Sequence, residues 1–496
     1  MPNLSKSKIL AYRQCPRRLW LEIHKPELRD DSASEAVFQV GNQVGEIARK
    51  LYDPEGTGFT IDIGELGHGE ALARSKVLLA EGAAPIFEAG LTADGALAYA
   101  DVMLPDRSDG TLQWHMIEVK SSASVKDYHR DDIAVQSHLA ALSGVALASV
   151  SVAHIDSSFV YPGGGDYRGL LHAEDLTAEA RSRHEEAREW IAKAREIAAF
   201  EQEPEIAIGP QCSKPYPCGF SSYCTKDLVL PEYPLSSLPR LLSSRRESIE
   251  AEGHEDLREV PDEFLNDTQA LVKQCSITGE PYFDREGAAA DLAPYGFPAY
   301  FLDFETIAFA VPIWKGTRPY RQIPFQFSLH RVHQNATIEH ESFLDLSGDD
   351  PAGAFTRNLI KSCGIDGPVF VYNAAFEKTV MGKLAERLPE YTEALNAIIA
   401  RVVDLLPIAR NRYYHPSQHG SWSIKAVLPA LCPNLSYDDL EGVQDGGMAQ
   451  AAYQEAIAPE TTPERKHEIE RQLHEYCKLD TLAMVRMWEV FAGNIN

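Results

Sequence analysis

The sequence lacks long apolar runs. No stretch reaches the roughly 18 consecutive apolar residues that a membrane-spanning helix needs. Residues 1–9 are polar and lack the apolar core of a signal peptide. We therefore expect a cytoplasmic protein with no membrane partner.

Internal repeats, low-complexity tracts and closely paired cysteines of the C-x2-C type are also absent. Because zinc sites commonly use such pairs, their absence favours an iron–sulfur cluster over zinc wherever thiolates do gather. What is present is an ordinary globular composition, with 44% hydrophobic and 24% charged residues among 496. That length suggests roughly two to four domains.

Basic residues are in deficit, with 47 Lys and Arg against 73 Asp and Glu, for a net charge of −26. Such a chain repels phosphate at long range. Two interpretations stay open for a nucleic-acid ligand: a local basic groove, or contact through bound metal ions. Basic residues do cluster at two places, Lys6, Lys8, Arg13, Arg17, Arg18 and then Arg240, Arg245, Arg246.

The pattern of predicted helices and strands changes after residue 230 and again after residue 296. Helical patterns flank short strands over 1–230, and prolines followed by short helical pieces predict a helical connector over 231–296, with a helix cap at Asn266. Strands interleaved with helices over 297–496, ending in a long helix at 464–492, predict an α/β domain.

A carboxylate and a lysine share one face of a predicted strand in the first region. Glu118 and Lys120 stand two apart in HMIEVKSS, Asp101 lies on another strand, and Glu46 lies on a helix upstream. Carboxylates of this kind can hold a divalent ion against a phosphodiester, and the lysine can balance the developing charge. The other interpretation is a surface salt bridge, which is the usual outcome for an isolated Glu-x-Lys.

Three cysteines recur at equal gaps in PQCSKPYPCGFSSYC. Cys212, Cys218 and Cys224 sit among Pro, Gly and aromatic residues, and Cys15 lies far upstream. These residues are typical thiolate ligands, for which iron–sulfur and zinc both stay open. The remaining cysteines, expected to be buried thiols, are Cys275, Cys363, Cys432 and Cys477.

Residues 1–230 resemble the RecB-like PD-(D/E)XK nucleases that carry a cluster, such as the CRISPR-associated Cas-four exonucleases and the AddB nuclease domain. The resemblance rests on the early CPRR, the acids, Glu-x-Lys and the late cysteines. It implies a restriction-endonuclease-like fold, a 4Fe–4S cluster on the four cysteines, metal ligation by Asp101 and Glu118, and a catalytic Lys120. Ala140 departs from the tyrosine of the family's motif that begins at Gln136, and Glu46 stands where a histidine is common.

Two acids also share one face of the predicted strand PAYFLDFE. Asp303 and Glu305 are two apart, which is unfavourable unless a cation lies between them. Glu377 stands early on a helix, and Tyr476 and Asp480 lie four apart on the last helix. Four carboxylates arranged in this way can hold two Mg2+ or Mn2+ ions for phosphoryl chemistry, with Tyr476 orienting the attacking water.

This second set resembles the DEDDy exonucleases of the RNase H-like superfamily, on the motifs FLDFET, YNAAFE and YCKLDT. The resemblance implies 3′-end cleavage. Glu377 departs from the Asp of most relatives, and Asp404 is an additional acid for which a structural role is favoured over ligation. The whole layout resembles an uncharacterised bacterial family known only as a domain of unknown function.

The leading hypothesis is a two-metal nuclease acting on DNA, with RNA as a further substrate. Arg318 and Arg321 are candidate phosphate contacts, and Trp314 and Tyr320 are candidate stacking residues or core aromatics. The alternatives are a nucleic-acid-binding or scaffolding protein with inactive sites, and a regulator that uses only its cysteines.

Overall fold

A computed structural model describes residues 3–30 and 35–493. The chain forms two compact units: unit 1 comprises residues up to Leu228 together with 309–320, and unit 2 comprises 229–308 and 321 onward. The predicted α/β class is confirmed, and the sheets are open. No helix within the described ranges is long and apolar enough to cross a membrane.

Unit 1 is built around a seven-stranded sheet in the order β2-β3-β4-β5-β6-β7, with β1 paired to β4. The strands are β1 (Leu4–Ser5), β2 (Phe59–Thr60), β3 (Ile86–Ala93), β4 (Ala96–Asp106), β5 (Gln113–Lys120), β6 (Leu147–Ile155) and β7 (Leu171–Asp175). The helices are α1 (Lys6–Gln14), α2 (Pro16–His24), α3 (Glu35–Tyr52), α4 (Ile63–Glu81), α5 (Asp127–Leu142), α6 (Thr177–Ser182), α7 (His184–Ala198) and α8 (Ser221–Thr225).

Strand β5 lies in the middle of this sheet, antiparallel to β4 and parallel to β6. Its alternate residues Trp114 and Met116 are buried with Ile133 of α5 in the main apolar core. The other face of β5 carries Ile117, which packs in a separate apolar cluster. The alternation thus fixes which face of the sheet each polar residue of β5 occupies.

Unit 2 contains a five-stranded sheet in the order β11-β10-β9-β12-β13 and a short β14-β8 pair. The strands are β8 (Tyr282–Phe283), β9 (Ala299–Ile307), β10 (Ile323–Val332), β11 (Ile338–Leu344), β12 (Val369–Val371), β13 (Val402–Asp404) and β14 (Tyr413–Tyr414). The helices are α9 (Ser243–Ala251), α10 (Asp267–Thr278), α11 (Arg285–Leu292), α12 (Ala352–Cys363), α13 (Ala374–Arg387), α14 (Thr392–Arg401), α15 (Leu405–Arg412), α16 (Ile424–Leu431), α17 (Gly446–Ile457) and α18 (Pro463–Phe491).

The region interpreted as a separate connector, 231–296, belongs to unit 2. Leu257 and Val272 from this region share one buried apolar cluster with Tyr414 and Trp488. The predicted helix cap is confirmed: the Asn266 side chain accepts a hydrogen bond from Gln269 N at the start of α10. The connector is therefore helical, and its apolar side chains are part of the unit 2 core.

The segment 309–320 follows β9 in sequence but is part of unit 1. Ala310 and Val311 are buried with Val44 of α3, Ile155 of β6 and Leu170. Burial of these apolar side chains explains why the segment clusters with unit 1.

Candidate functional site

Three carboxylates of unit 2 converge. One oxygen from each of Asp303, Glu305 and Asp480 lies within 4.8 Å of the other two. The pleat of β9 puts Asp303 and Glu305 on one face, and α18 brings Asp480 to that face. Glu305 and Asp480 are buried, at 7% and 6% exposure, so water does not separate their charges.

Burial and mutual repulsion make these acids reluctant to ionise. Burial, followed by the charge of Asp480, raises the pKa of Glu305 to about 8, and the same two causes raise the pKa of Asp303. Burial raises the pKa of Asp480 to about 6. A divalent cation held among them would remove this penalty, which is why the cluster has the character of a metal site.

Glu377, on the first turn of α13, is a further buried acid and is not one of the three whose oxygens lie within 4.8 Å of one another. It is 2% exposed, and its Oε2 has no hydrogen-bond partner among the described residues. Burial, followed by the charge of Asp404, raises the pKa of Glu377 to about 8. After burial and the charges of Asp480 and Glu305, the charge of Glu377 also contributes to the raised pKa of Asp303. The unpartnered oxygen of Glu377 suits a metal ligand.

Asp404 stays outside this cluster and organises its backbone. Its carboxylate accepts hydrogen bonds from the backbone N–H groups of Asn373 and Ala374, at 3.0 Å each, and from Leu406 N at the start of α15. Asn373 has a left-handed backbone with φ of 79°, so the chain turns sharply into α13. Asp404 thus fixes the start of the helix that carries Glu377.

Two tyrosines and a lysine surround Asp480. Tyr437 donates a hydrogen bond to Asp480 Oδ1 at 2.5 Å, and the Tyr476 phenol faces the same carboxylate. The Lys425 ammonium lies 5.2 Å from the Tyr437 ring centroid and 5.4 Å from that of Tyr476. The sequence motifs identified only Tyr476, because Tyr437 and Lys425 stand at no fixed spacing from the acids.

Unit 1 brings together Glu118 and Lys120 with residues from two helices. Lys120 Nζ lies 2.5 Å from Glu118 Oε1 and 2.7 Å from Asp132 Oδ2. Lys6 Nζ, from α1, lies 2.9 Å from the same Glu118 oxygen and 2.8 Å from Asp132 Oδ1. Gln136 donates to Glu118 Oε2 at 2.6 Å. Glu118 and Asp132 therefore have cationic partners without a metal.

The carboxyl groups of unit 1 differ sharply in proton affinity. Asp132 is deeply buried, yet the adjacent Lys120 and Lys6 lower its pKa. Asp101 accepts a hydrogen bond from Val119 N at 2.6 Å, while burial, followed by the charge of Glu118, raises its pKa to about 8. The lysines thus neutralise one acid and leave another without a full counter-charge.

Two further glutamates of unit 1, Glu88 and Glu46, have different settings. Glu88 of β3 has φ of 58°, and burial, followed by the charge of Glu118, raises its pKa. The sequence analysis did not identify Glu88, since it has no motif neighbour. Glu46 lies on α3 with an exposed side chain, and none of the described hydrogen bonds or ion pairs joins it to Asp101, Glu118 or Lys120.

One small cavity is lined by the four candidate cluster ligands, Cys15, Cys212, Cys218 and Cys224. Arg17 and Arg18 also line this cavity. In the described part of the chain, no three of their Sγ atoms come within 4.8 Å of one another. Four thiolates on one zinc ion would lie about 3.8 Å apart, since each Zn–S bond is about 2.3 Å. A 4Fe–4S cluster would bind each thiolate through a different iron, and both a zinc ion and a cluster stay open for these four residues.

The four candidate nucleic-acid contacts occupy different settings. Trp314 is buried against Phe309, with ring centroids 5.4 Å apart, so it is a core aromatic. Arg318 and Tyr320 are exposed. Arg321 is 3.5 Å from Glu386. Only Arg318 and Tyr320 therefore present open surface for a ligand.

Comparisons with known proteins found one family model and a relative of this chain. Residues 300–423 match the family model described as "Domain of unknown function (DUF2779)". That span contains Asp303, Glu305 and Glu377 and ends just before Lys425. A Mycoplasma genitalium protein, "Uncharacterized protein MG366", is 25% identical over 205 residues, which cover 37% of this chain and 30% of that relative. The chain thus spans less than a third of the relative's length in this match.

Proposed function

We propose that this protein is a metal-dependent nuclease that hydrolyses phosphodiester bonds of DNA, with its principal site in unit 2. The observation that carries the proposal is the convergence of Asp303, Glu305 and Asp480, with ligating oxygens within 4.8 Å of one another. Buried acids at this spacing repel one another unless a cation joins them. We assign the unit to the RNase H-like fold of the DEDDy exonucleases, which implies attack at 3′ ends.

The residues of the site have separable roles in this proposal. Asp303, Glu305 and Asp480, with Glu377, would hold Mg2+ or Mn2+. These ions supply an activated water and neutralise charge on the phosphate. The Tyr476 phenol, beside Asp480, would orient the attacking water by hydrogen bonding. Glu377 is one methylene longer than aspartate, which would let its carboxylate extend toward the ions from the start of α13.

We further propose that unit 1 is a RecB-like PD-(D/E)XK domain with a 4Fe–4S cluster on its four cysteines. Asp101 and Glu118 would be its metal ligands, and Lys120 would stabilise charge on the reacting phosphate. The cluster would join the N-terminal α1–α2 region to the segment after α7, because Cys15 and Cys224 lie near opposite ends of the unit 1 sequence.

RNA is a further substrate that the same metal-dependent chemistry would accept.

An overall charge of −26 is compatible with this function when metal mediates the contact with phosphate. Each bound divalent ion neutralises two negative charges of the site. We therefore expect weak binding to nucleic acid in the absence of divalent ions, and a strong dependence of binding on Mn2+ or Mg2+.

A second function, nucleic-acid binding by an inactive unit 1, is favoured by Lys6. Its ammonium bridges Glu118 and Asp132, so it occupies the space between two acids where a cation would otherwise be needed. In this alternative unit 1 holds the strand and unit 2 cleaves it. Separate variants of the two units distinguish the alternatives.

The test uses full-length protein purified without oxygen and 5′-labelled single- and double-stranded DNA and RNA with Mn2+ or Mg2+. We expect cleavage that EDTA abolishes and that Asp303→Asn lowers by at least about 100-fold. Asp366→Asn, at an exposed position of unit 2, is the matched control. Lys120→Met reports on unit 1, with exposed Lys50→Met as its control. Absence of cleavage by the wild type on every substrate would refute the proposal.

A further inference from the structure

Asp480 is contacted by a residue that lies outside the carboxylate motifs. Tyr437 stands 43 residues before Asp480, is 7% exposed, and donates its phenolic hydrogen to Asp480 Oδ1 at 2.5 Å. A carboxylate has two oxygens with two acceptor positions each. The hydrogen bond occupies one acceptor position of Oδ1 and holds the plane of the carboxylate, while the other acceptor positions of Asp480 remain available to a ligand.

Lys425 holds the ring of Tyr437 in place. Its Nζ lies 5.2 Å from the centroid of that ring and donates to the backbone oxygen of Gln444 at 2.5 Å. Lys425 is the second residue of α16, whose start is capped by Ser423. The aromatic ring thus lies beneath an ammonium that is itself tied to two points of the backbone.

Tyr437 and Tyr476 differ in how they are attached. Tyr476 is on α18, one turn before Asp480, and moves together with it. Tyr437 comes from a separate segment between α16 and α17, so its hydrogen bond ties that segment to the carboxylate. Tyr437 therefore restrains the side-chain rotation of Asp480 from outside its helix, whereas Tyr476, whose phenol also hydrogen-bonds Asp480, is carried by the same helix as that carboxylate.

We propose that Tyr437 is a positioning residue that orients Asp480 for metal binding, with Lys425 bracing its ring. This inference rests on the metal-dependent function proposed above. Groups that hydrogen-bond a metal ligand fix its orientation, and their loss weakens metal affinity by about 10–100-fold. Removal of the Tyr437 hydroxyl should therefore weaken metal binding, whereas removal of the Tyr476 hydroxyl should slow the chemical step.

The experiment measures Mn2+ binding to the full chain by titration calorimetry, alongside Mn2+-dependent cleavage. Binding that Asp303→Asn eliminates defines the unit 2 site. For Tyr437→Phe we expect Mn2+ affinity at that site to fall by about 10-fold or more, with cleavage at saturating Mn2+ within about threefold of wild type. For Tyr476→Phe we expect affinity within about twofold of wild type and a lower rate at saturation.

Tyr453→Phe is the matched control, because the Tyr453 hydroxyl is buried and makes no hydrogen bond with any described residue. Circular dichroism checks that each variant is folded, and Tyr437→Met provides a second removal of the hydroxyl should the phenylalanine variant not fold. Equal Mn2+ affinity in the Tyr437 and Tyr453 variants would overturn the inference.

Metal binding and cleavage separate this inference from the proposed function. If the wild type binds Mn2+ through Asp303 but cleaves nothing, and Tyr437→Phe still weakens that binding, the positioning role stands and the nuclease function fails. If Asp303→Asn removes no Mn2+ binding, both are overturned.

Discussion

Lys6 Nζ lies 2.9 Å from Glu118 Oε1, although 112 residues separate the two along the chain. The same ammonium reaches Asp132, so Lys6 joins α1 to the middle of the unit 1 sheet and to α5. The Lys6 side chain is only 18% exposed. The contact therefore stabilises the fold in addition to any role at the site.

Replacement of Lys6 by Met should destabilise unit 1. Removing one partner of a buried ion pair leaves its acids short of positive charge, and we expect a loss of about 3 kcal/mol in the free energy of unfolding, at the lower end of the range for buried pairs because Lys120 still contacts both acids. Denaturant unfolding of the full chain, followed by tryptophan fluorescence, measures the effect. Lys8→Met on the same helix is the control, and an equal effect from both variants would contradict the prediction.

Replacement of Glu377 by Gln should stabilise metal-free protein and abolish Mn2+-dependent cleavage from unit 2. Glutamine keeps the shape of the side chain and needs no proton, whereas burial raises the pKa of Glu377 to about 8, so that at neutral pH the folded protein must bind a proton that the unfolded chain has released. Thermal unfolding in EDTA and a cleavage assay measure the two effects. Glu393→Gln, at an exposed site on α14, should change neither. Full activity of Glu377→Gln would exclude Glu377 as a ligand.

Replacement of Cys218 by Ser should remove the cluster. Anaerobically purified wild-type protein should contain iron and sulfide and absorb near 400 nm, and the variant should lose all three properties. Cys363→Ser is the control, because Cys363 is buried at the end of α12, outside the cysteine cavity. Stoichiometric zinc without visible absorption would show that the cavity is a zinc site.

Acid should weaken unit 2 through His330 and His340, which are cross-strand partners on β10 and β11. Burial, followed by the charge of His340, lowers the pKa of His330 to about 3. Burial, followed by the charge of Lys478, lowers that of His340 to about 4.

In the unfolded chain both imidazoles have an ordinary pKa near 6.5. The unfolded state therefore binds protons first, so stability is complete above about pH 6.5 and falls as the pH is lowered toward 4. The melting temperature measured from pH 7.5 to 4.5 should fall less steeply for His340→Gln than for wild type. His467→Gln, whose imidazole is 87% exposed, should retain the wild-type slope. Identical slopes for all three proteins would refute the role of the pair.

Residues joined by short spacing could be predicted from the sequence. Asp303 and Glu305 share a strand face because of the two-residue pleat, and Tyr476 and Asp480 share a helix face because they are one turn apart. The last helix, expected at 464–492, runs from Pro463 to Phe491. These relationships depend only on local geometry, which the spacing of residues determines.

Residues that contact the sites from distant positions in the sequence could not be predicted. Lys6 and Tyr437 reach their carboxylates only after the chain has folded, and nothing in their immediate neighbours marks them. The left-handed backbone at Glu88 is likewise imposed by its surroundings, since glutamate does not favour it.

The membership of the connector, 231–296, in unit 2 could not be predicted from the sequence either. Leu257 and Val272 are ordinary apolar residues in short helical pieces, so their composition indicates helices but not a packing partner. Their burial in one cluster with Trp488 depends on a residue more than 200 positions later. The extent of a compact unit is decided by such long-range burial.

The membership of 309–320 in unit 1 has a consequence for protein synthesis. Val311 is completely enclosed in the same cluster as Val44 and Ile155, so unit 1 lacks part of its apolar surface cover until the ribosome has passed residue 320. By then β9, with Asp303 and Glu305, has already been made. The nascent chain therefore already contains the first strand of the five-stranded sheet before the last segment of unit 1 has been made, and a fragment that ends at residue 228 would expose apolar surface that the full chain buries.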